Sequence, residues 1–152
     1  MSKLAIDGGS KIFEIPAQHP SWPPSDQETA EELKKIYNTV LLAQTTALSQ
    51  IRGGMPCKYA DGIARKIIDD AGYGKAFGHS LGHGVGMFIH ERPNLSPRAD
   101  EKLLLESGNV ITVEPGIYLE GRFGCRIEDM VTVNQDGSIY DFTKSDKKLI
   151  EL

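Results

Sequence analysis

The first half of the chain has hydrophobic residues at helical spacing. Between positions 33 and 51 they recur every three or four residues, with Gln44 as the polar exception, and this spacing predicts a long amphipathic helix. Ser25 and Glu28 stand at the distance of a capping box, which would start the helix, and Gly53 follows its end.

A second amphipathic helix follows and ends near Gly72. Its hydrophobic positions are Tyr59, Ala60, Ile63, Ala64, Ile67 and Ile68. Spacings of three and four residues again favour a helix with one buried face. Together the two segments predict a helical pair over residues 25–72.

Beyond Gly74 the pattern changes to short runs with strand character. The predicted strands span residues 85–90, 110–114, 117–120, 127–133 and 139–142. Alternation of hydrophobic and polar residues is clearest in 127–133, and the Gln-Asp-Gly that follows is typical of a hairpin. Two helices followed by an antiparallel sheet over residues 78–143 indicate the α+β class.

The N-terminal region differs from both of these patterns. Residues 3–6 predict a short strand that ends at Asp7, whereas residues 15–24 contain four prolines and predict an extended loop. The sequence contains no internal repeat and no second domain, so residues 1–152 are predicted to form a single domain.

Composition narrows the function classes. The 152 residues carry a net charge of -4, which provides no basic surface for a polyanion and argues against nucleic-acid binding. No hydrophobic run is long enough to cross a bilayer, and the first residues lack the hydrophobic core of a signal peptide. With only two cysteines, the chain is expected in the reducing cytoplasm.

Three of the four histidines fall in one glycine-rich segment. His79, His83 and His90 lie within GHSLGHGVGMFIHERP. Histidine is the commonest metal ligand and a frequent proton carrier, and glycines allow the backbone to approach a site closely. The segment therefore indicates a metal or catalytic site, or alternatively a tight turn whose histidines make ordinary hydrogen bonds.

Two carboxylates stand in otherwise hydrophobic strands. Glu114 ends the strand predicted at 110–114, and Glu128 lies inside the one predicted at 127–133. If segments 110–119 and 123–133 pair, both carboxylates would face one side with an imidazole, a donor set suited to Mn, Co, Zn or Fe. Alternatively, Glu128 pairs with Arg126 on the sheet surface, since residues two apart share a face.

The motifs, in their order along the chain, resemble a known family. GHGVG with IHERP, then TVEPGIY, then GCRIEDMVTV, resemble the pita-bread metallopeptidases, and within them the Xaa-Pro aminopeptidase (aminopeptidase P) and prolidase branch. The resemblance extends from about Ile36 to Gly137. It implies that residues 1–152 form a partial peptidase-like catalytic domain, the C-terminal half of a pita-bread fold, with two helices packed on a mostly antiparallel sheet.

The resemblance also implies roles for matching residues. The implied metal ligands are His83, Glu114, Glu128 as a bridge between two ions, and Asp7. Glu114 would also handle the proton of the attacking water. His79 and His90 would hold substrate and stabilise the tetrahedral intermediate, and Arg126 would orient the bridging carboxylate. The implied activity is hydrolysis of peptides with proline in second position, by a water activated by divalent ions, with Mn favoured over Co, Zn or Fe.

The chain departs from the family pattern at two places. Gln18 occupies the position of the second aspartate ligand, so the resemblance allows one metal ion or none instead of two. The first half of the family fold should precede Leu4, so we expect the chain to self-associate or to bind a complementary half. The alternative functions are an inactive or engineered half-fold that acts as a binding or structural module, and a histidine-rich core without metal.

Overall fold

The computed structural model describes residues 10–13 and 27–149. The elements, in chain order, are β1 (Ser10–Phe13), α1 (Gln27–Gln50), α2 (Cys57–Asp70), a 3-10 turn (Gly74–Ala76), β2 (Gly82–Gly84), β3 (Glu91–Leu95), β4 (Val110–Val113), β5 (Gly116–Leu119), β6 (Phe123–Ile127), β7 (Asp129–Val133) and β8 (Ile139–Asp141). The predictions for Asp7, Ser25, the strand at 3–6 and the proline-rich loop at 15–24 lie outside the described residues.

The two helices form one layer against the sheets. α1 buries Ile36, Val40, Ala43 and Ala47 completely, at the three- and four-residue steps that place side chains on one helix face. This face packs against α2 and β6. The predicted helical pair is confirmed. Across the described ranges, neither helix combines the length and hydrophobicity needed to cross a bilayer.

α2 buries a different face from the one that its largest side chains predict. The fully buried hydrophobic residues of α2 are Cys57, Ala60, Ala64 and Ile68. Tyr59 is instead 71% exposed, and Ile63 and Ile67 are only partly buried. The distance between packed helices depends on the side chains at their contact, so the small residues of α2 allow it to lie close to the core.

Two antiparallel sheets form the second layer. One has three strands in the order β1-β6-β5, and the other has five in the order β3-β2-β4-β7-β8. The predicted pairing of segments 110–119 and 123–133 is confirmed, since β4 pairs with β7 and β5 pairs with β6.

At two places the chain passes directly from a strand of one sheet to the next strand in the other, and each of these crossings carries a glutamate. It leaves β4 for β5 through Glu114 and Pro115, and it leaves β6 for β7 at Glu128. The single strand predicted over residues 127–133 is therefore wrong, because Glu128 separates two strands in different sheets. Hydrophobic residues continue on both sides of the break, so alternation alone did not reveal it.

The strand predicted over residues 85–90 is also wrong. Strands β2 and β3 lie on either side of residues 85–90 and pair as a hairpin. Residues 85–90 form the loop of this hairpin. Met87, Phe88 and Ile89 at the loop tip are 96%, 72% and 73% exposed. Hydrophobic residues in an exposed loop give the same letter pattern as a buried strand, which is why the pattern misplaced the strand.

Both cysteines are free thiols enclosed in the core. Burial raises the pKa of Cys57 to about 11 and that of Cys125 to about 12, and the thiolate is the nucleophilic form. We therefore expect neither to react with iodoacetamide in the native protein at mildly alkaline pH, and both to react in urea. Mass spectrometry counts the adducts; rapid alkylation of the native protein would show that these thiols are accessible.

Candidate metal centre

The sheet crossings bring Glu114 and Glu128 to the same guanidinium. Arg126 Nη1 lies 3.5 Å from Glu114 Oε2, and Arg126 Nε lies 3.8 Å from Glu128 Oε2. Arg126 stands opposite Gly116 in the β5–β6 pair, so its side chain starts between the two crossings. A positive charge between two carboxylates offsets their mutual repulsion. The structure thus contains the Glu128–Arg126 ion pair, which was one of the two alternatives, and it also brings Glu114 to the same arginine.

His83 is in contact with Glu114. The His83 Nε2 atom lies 3.2 Å from Glu114 Oε1, and Glu114 is 8% exposed. The Glu114 amide donates to Leu81 O at 2.7 Å, and this hydrogen bond fixes the backbone at Glu114. Thr112 Oγ1 donates to Glu114 Oε1 at 2.9 Å and accepts from the His83 amide at 3.0 Å. Thr112 therefore holds both members of the pair.

The second ring nitrogen of His83 fixes the position of its proton. His83 Nδ1 lies 2.9 Å from Gly84 O, a carbonyl that only accepts, so Nδ1 carries the hydrogen. Neutral His83 then presents the Nε2 lone pair to a carboxylate oxygen of Glu114. A proton on Nε2 or a metal ion supplies the positive charge that this contact requires. Metal-binding histidines usually donate their other N–H to a carbonyl or carboxylate, as His83 does here.

His79 is held at the edge of the same site. Its Nδ1 lies 2.8 Å from Ser80 O and its Nε2 lies 2.9 Å from the Tyr118 hydroxyl. Because a carbonyl only accepts, Nδ1 donates to Ser80, and the Tyr118 hydroxyl donates to Nε2. Burial raises the pKa of Tyr118, while the neighbouring Arg126 acts in the opposite direction. The tyrosine therefore stays protonated and able to donate.

A buried ion pair on α2 supports the histidine segment. Arg65 donates to Asp61 through Nε at 2.7 Å and through Nη2 at 2.9 Å. Arg65 also donates to the carbonyls of Phe77 at 3.0 Å and His79 at 2.8 Å. Asp61 Oδ1 accepts the Leu81 amide at 2.9 Å. The pair therefore ties α2 to the backbone on both sides of His79.

One open cleft joins the histidines. It has a volume of about 1280 Å³. Its lining residues include His79, His83, His90, Glu114 and Arg126. His90 is exposed, and its ring centroid lies 4.3 Å from that of His83. Glu128 contacts the cleft through Arg126 and does not itself line it.

The ligand set that the described residues supply is partial. Within them, no three His, Cys, Asp or Glu side chains lie close enough together to hold a metal ion. His83 and Glu114 are in contact, and Arg126 stands between Glu114 and Glu128. Imidazole nitrogen and carboxylate oxygen suit a divalent transition ion. The donor chemistry therefore fits a metal, and the site needs further ligands; Asp7 lies outside the described residues.

Sequence reasoning missed Thr112, Tyr118 and the Asp61–Arg65 pair. Thr112 stands two residues before Glu114, a spacing that places both on one strand face, so the signal was available. Tyr118 belongs to the same TVEPGIY motif. Asp61 and Arg65 have the spacing of an ordinary helix surface pair, and nothing in that spacing distinguishes a buried pair from an exposed one.

Comparison with known proteins gives a consistent family. Residues 22–135 match the family described as Metallopeptidase family M24. The uncharacterized peptidase YqhT of Bacillus subtilis is 46% identical over 129 residues, which are 85% of this chain and 34% of that protein. The uncharacterized peptidase SAR1786 of Staphylococcus aureus is 48% identical over 110 residues, 72% of this chain and 31% of that protein. The chain thus spans about a third of the length of these relatives.

Solved structures share the fold. An Xaa-Pro dipeptidase from Bacillus anthracis superposes with a TM-score of 0.76 at 48% identity, over 80% of this chain and 34% of that one. The prolidase from Pyrococcus horikoshii gives 0.74 at 43% identity, over 79% and 34%. The predicted α+β class and the partial pita-bread fold are confirmed, and the chain belongs to metallopeptidase family M24.

Proposed function

We propose that this chain supplies the metal-binding part of a peptidase that hydrolyses Xaa-Pro bonds. The observation that supports this most is the His83–Glu114 contact, in which the imidazole Nε2 lies 3.2 Å from a carboxylate oxygen. The solved relatives include an Xaa-Pro dipeptidase and an X-Pro aminopeptidase from Thermotoga maritima. Their names support a peptide with proline in second position as the substrate.

The proposed ligands keep the roles expected from the sequence. They are His83, Glu114, Glu128 and Asp7, with Mn as the proposed ion and Co, Zn or Fe as alternatives. When bound, such ions lower the pKa of a water and polarise the scissile carbonyl. The hydrogen bond from His83 Nδ1 to Gly84 keeps Nε2 available as a donor atom.

The other residues of the cleft act on the substrate and on protons. Glu114, held by Thr112 and Arg126, accepts the proton of the attacking water at a carboxylate oxygen. His90 is exposed beside His83, so its ring can donate to a carbonyl oxygen of the peptide. His79 holds the substrate after it exchanges its hydrogen bond with Tyr118 for one with the peptide. A prolyl nitrogen in a peptide bond has no hydrogen, so proline is recognised by shape.

Metal analysis of the purified chain tests the proposal. After incubation with Mn and removal of excess, we expect bound metal in the wild type and none in a His83→Ala variant, because the variant lacks the imidazole donor. A His90→Ala variant is the matched control: it alters the adjacent histidine and should keep the metal while losing hydrolysis of Xaa-Pro dipeptides. Elemental analysis and a peptidase assay provide the two measurements.

The outcomes separate two functions. Equal metal content in wild type and His83→Ala, or no metal in either, would reject the metal centre. The chain would then be a binding or structural module, an alternative that the partial ligand set of the described residues supports.

A further inference from the structure

A buried polar cluster joins α1, β7 and the C-terminal segment. Gln44 Nε2 donates to Asp129 Oδ2 at 2.5 Å, and Lys147 Nζ lies 2.9 Å from the same oxygen. The side chain of Asp129 is fully buried, and that of Lys147 is 18% exposed. The Tyr37 hydroxyl donates to Lys147 O at 3.0 Å, which secures the segment that carries the lysine. The cluster therefore fixes Asp129 from two directions.

The cluster lies at the point where both glutamates leave the five-stranded sheet. Asp129 is the first residue of β7 and stands opposite Val113, the last residue of β4. Glu128 precedes one of these residues and Glu114 follows the other. The Asp129 side chain is directed towards α1, whereas Glu128 contacts the cleft residue Arg126. Fixing Asp129 therefore fixes the backbone from which the Glu128 side chain extends.

Stability alone does not explain this cluster. Within the described part of the chain, Gln44 Oε1 and Asp129 Oδ1 are buried without a hydrogen-bond donor. Hydrophobic residues of similar volume often stabilise a core as well as a buried ion pair does. A buried charge at this place is more readily explained by a positional role.

We propose that Gln44, Asp129 and Lys147 form a positioning cluster that sets the direction of the Glu128 carboxylate. The inference rests on the proposed role of Glu128 as a bridging metal ligand. None of the three residues lines the cleft that contains His83 and Glu114. They act through the backbone at the β6–β7 crossing, which holds Glu128 at Arg126.

Nuclear magnetic resonance of glutamate carboxyl carbons tests this directly and without metal. Glu128→Gln assigns the Glu128 signal. We expect Lys147→Met to shift and broaden that signal, and Lys147→Arg to restore it, because the arginine keeps the charge that holds Asp129. Gln44→Met removes the other donor and should have the same effect as Lys147→Met, so the test does not depend on one variant folding well.

A core truncation separates positioning from general destabilisation. Ile68→Ala removes a fully buried side chain of α2 and should lower the Tm while leaving the Glu128 signal in place. An unchanged Glu128 signal in both Lys147→Met and Gln44→Met would overturn the inference, as would an equal shift in Ile68→Ala.

Metal affinity gives the second readout. If the wild type binds Mn, we expect Lys147→Met to bind it roughly tenfold or more weakly, the usual loss when a residue that orients a ligand is removed. Unchanged affinity would contradict the inference. If the wild type binds no Mn, the proposed function fails, and the carboxyl signals still decide whether the cluster positions Glu128.

Discussion

A Gly82→Ala variant is expected to lose about 3 kcal/mol or more of folding free energy. A Cβ atom at this position would lie 1.9 Å from the carbonyl oxygen of Thr112 and 2.7 Å from its carbonyl carbon. Both are backbone atoms, so no side chain can rotate away, and β2 must separate from β4. The midpoint of urea unfolding, followed by circular dichroism, measures the loss.

Gly62→Ala is the matched control for this substitution. A Cβ atom at Gly62 meets nothing within 4 Å, and the residue lies exposed on α2. Alanine is favoured over glycine inside a helix, so we expect this variant to gain about 0.5–1 kcal/mol. Equal midpoints for the two variants would show that β2 does not lie as close to β4 as the structure places it.

The same close approach matters for the site. β2 carries His83, and β4 leads into Glu114. The hydrogen bond from the His83 amide to Thr112 requires the two strands to be in contact, and the same hydroxyl donates to Glu114. A side chain at position 82 would therefore separate the imidazole from the carboxylate, even in the fraction of molecules that remains folded.

Asp61→Ala is expected to destabilise the fold by about 3 kcal/mol, the lower part of the range for breaking a buried ion pair. The Asp61 side chain is 1% exposed and that of Arg65 is 21% exposed. Truncation leaves the guanidinium without its carboxylate and the Leu81 amide without its acceptor. Thermal and urea unfolding both report this loss.

A second pair on the same helix provides the control. Lys66 and Asp70 have the same four-residue spacing and a 2.8 Å contact, with side chains 74% and 64% exposed. Exposed pairs contribute little because water screens them, so Asp70→Ala should unfold at nearly the wild-type midpoint. Similar losses for Asp61→Ala and Asp70→Ala would mean that burial does not distinguish the pairs.

Much of the fold could be predicted from the spacing of hydrophobic residues. Long periodic segments identified both helices, and short hydrophobic runs identified β4, β5, β7 and β8, whereas β6 was not predicted as a strand of its own. The failures share a cause. The loop at 85–90 and the break at Glu128 depend on where the chain turns relative to other strands, and the hydrophobic letters on either side do not encode that.

The candidate site was predictable in its residues and less so in its contacts. The motifs identified His83, Glu114 and Arg126, which the structure brings together. Tyr118 and Arg65 were missed because their importance comes from which atoms they reach across the fold, whereas the spacing of Thr112 from Glu114 already indicated a shared strand face. Hydrogen bonds from α2 to a histidine loop join residues far apart in sequence, and no spacing rule indicates such contacts.

The two sheet crossings have a consequence for how such a centre can be tuned. The separation of the two glutamate side chains depends on the angle between the three-stranded and the five-stranded sheet, since each glutamate sits where the chain passes from one to the other. Adjacent strands twist relative to one another by tens of degrees, and substitutions far from any ligand alter that twist. Such substitutions would change the distance between the two carboxylates without replacing either of them.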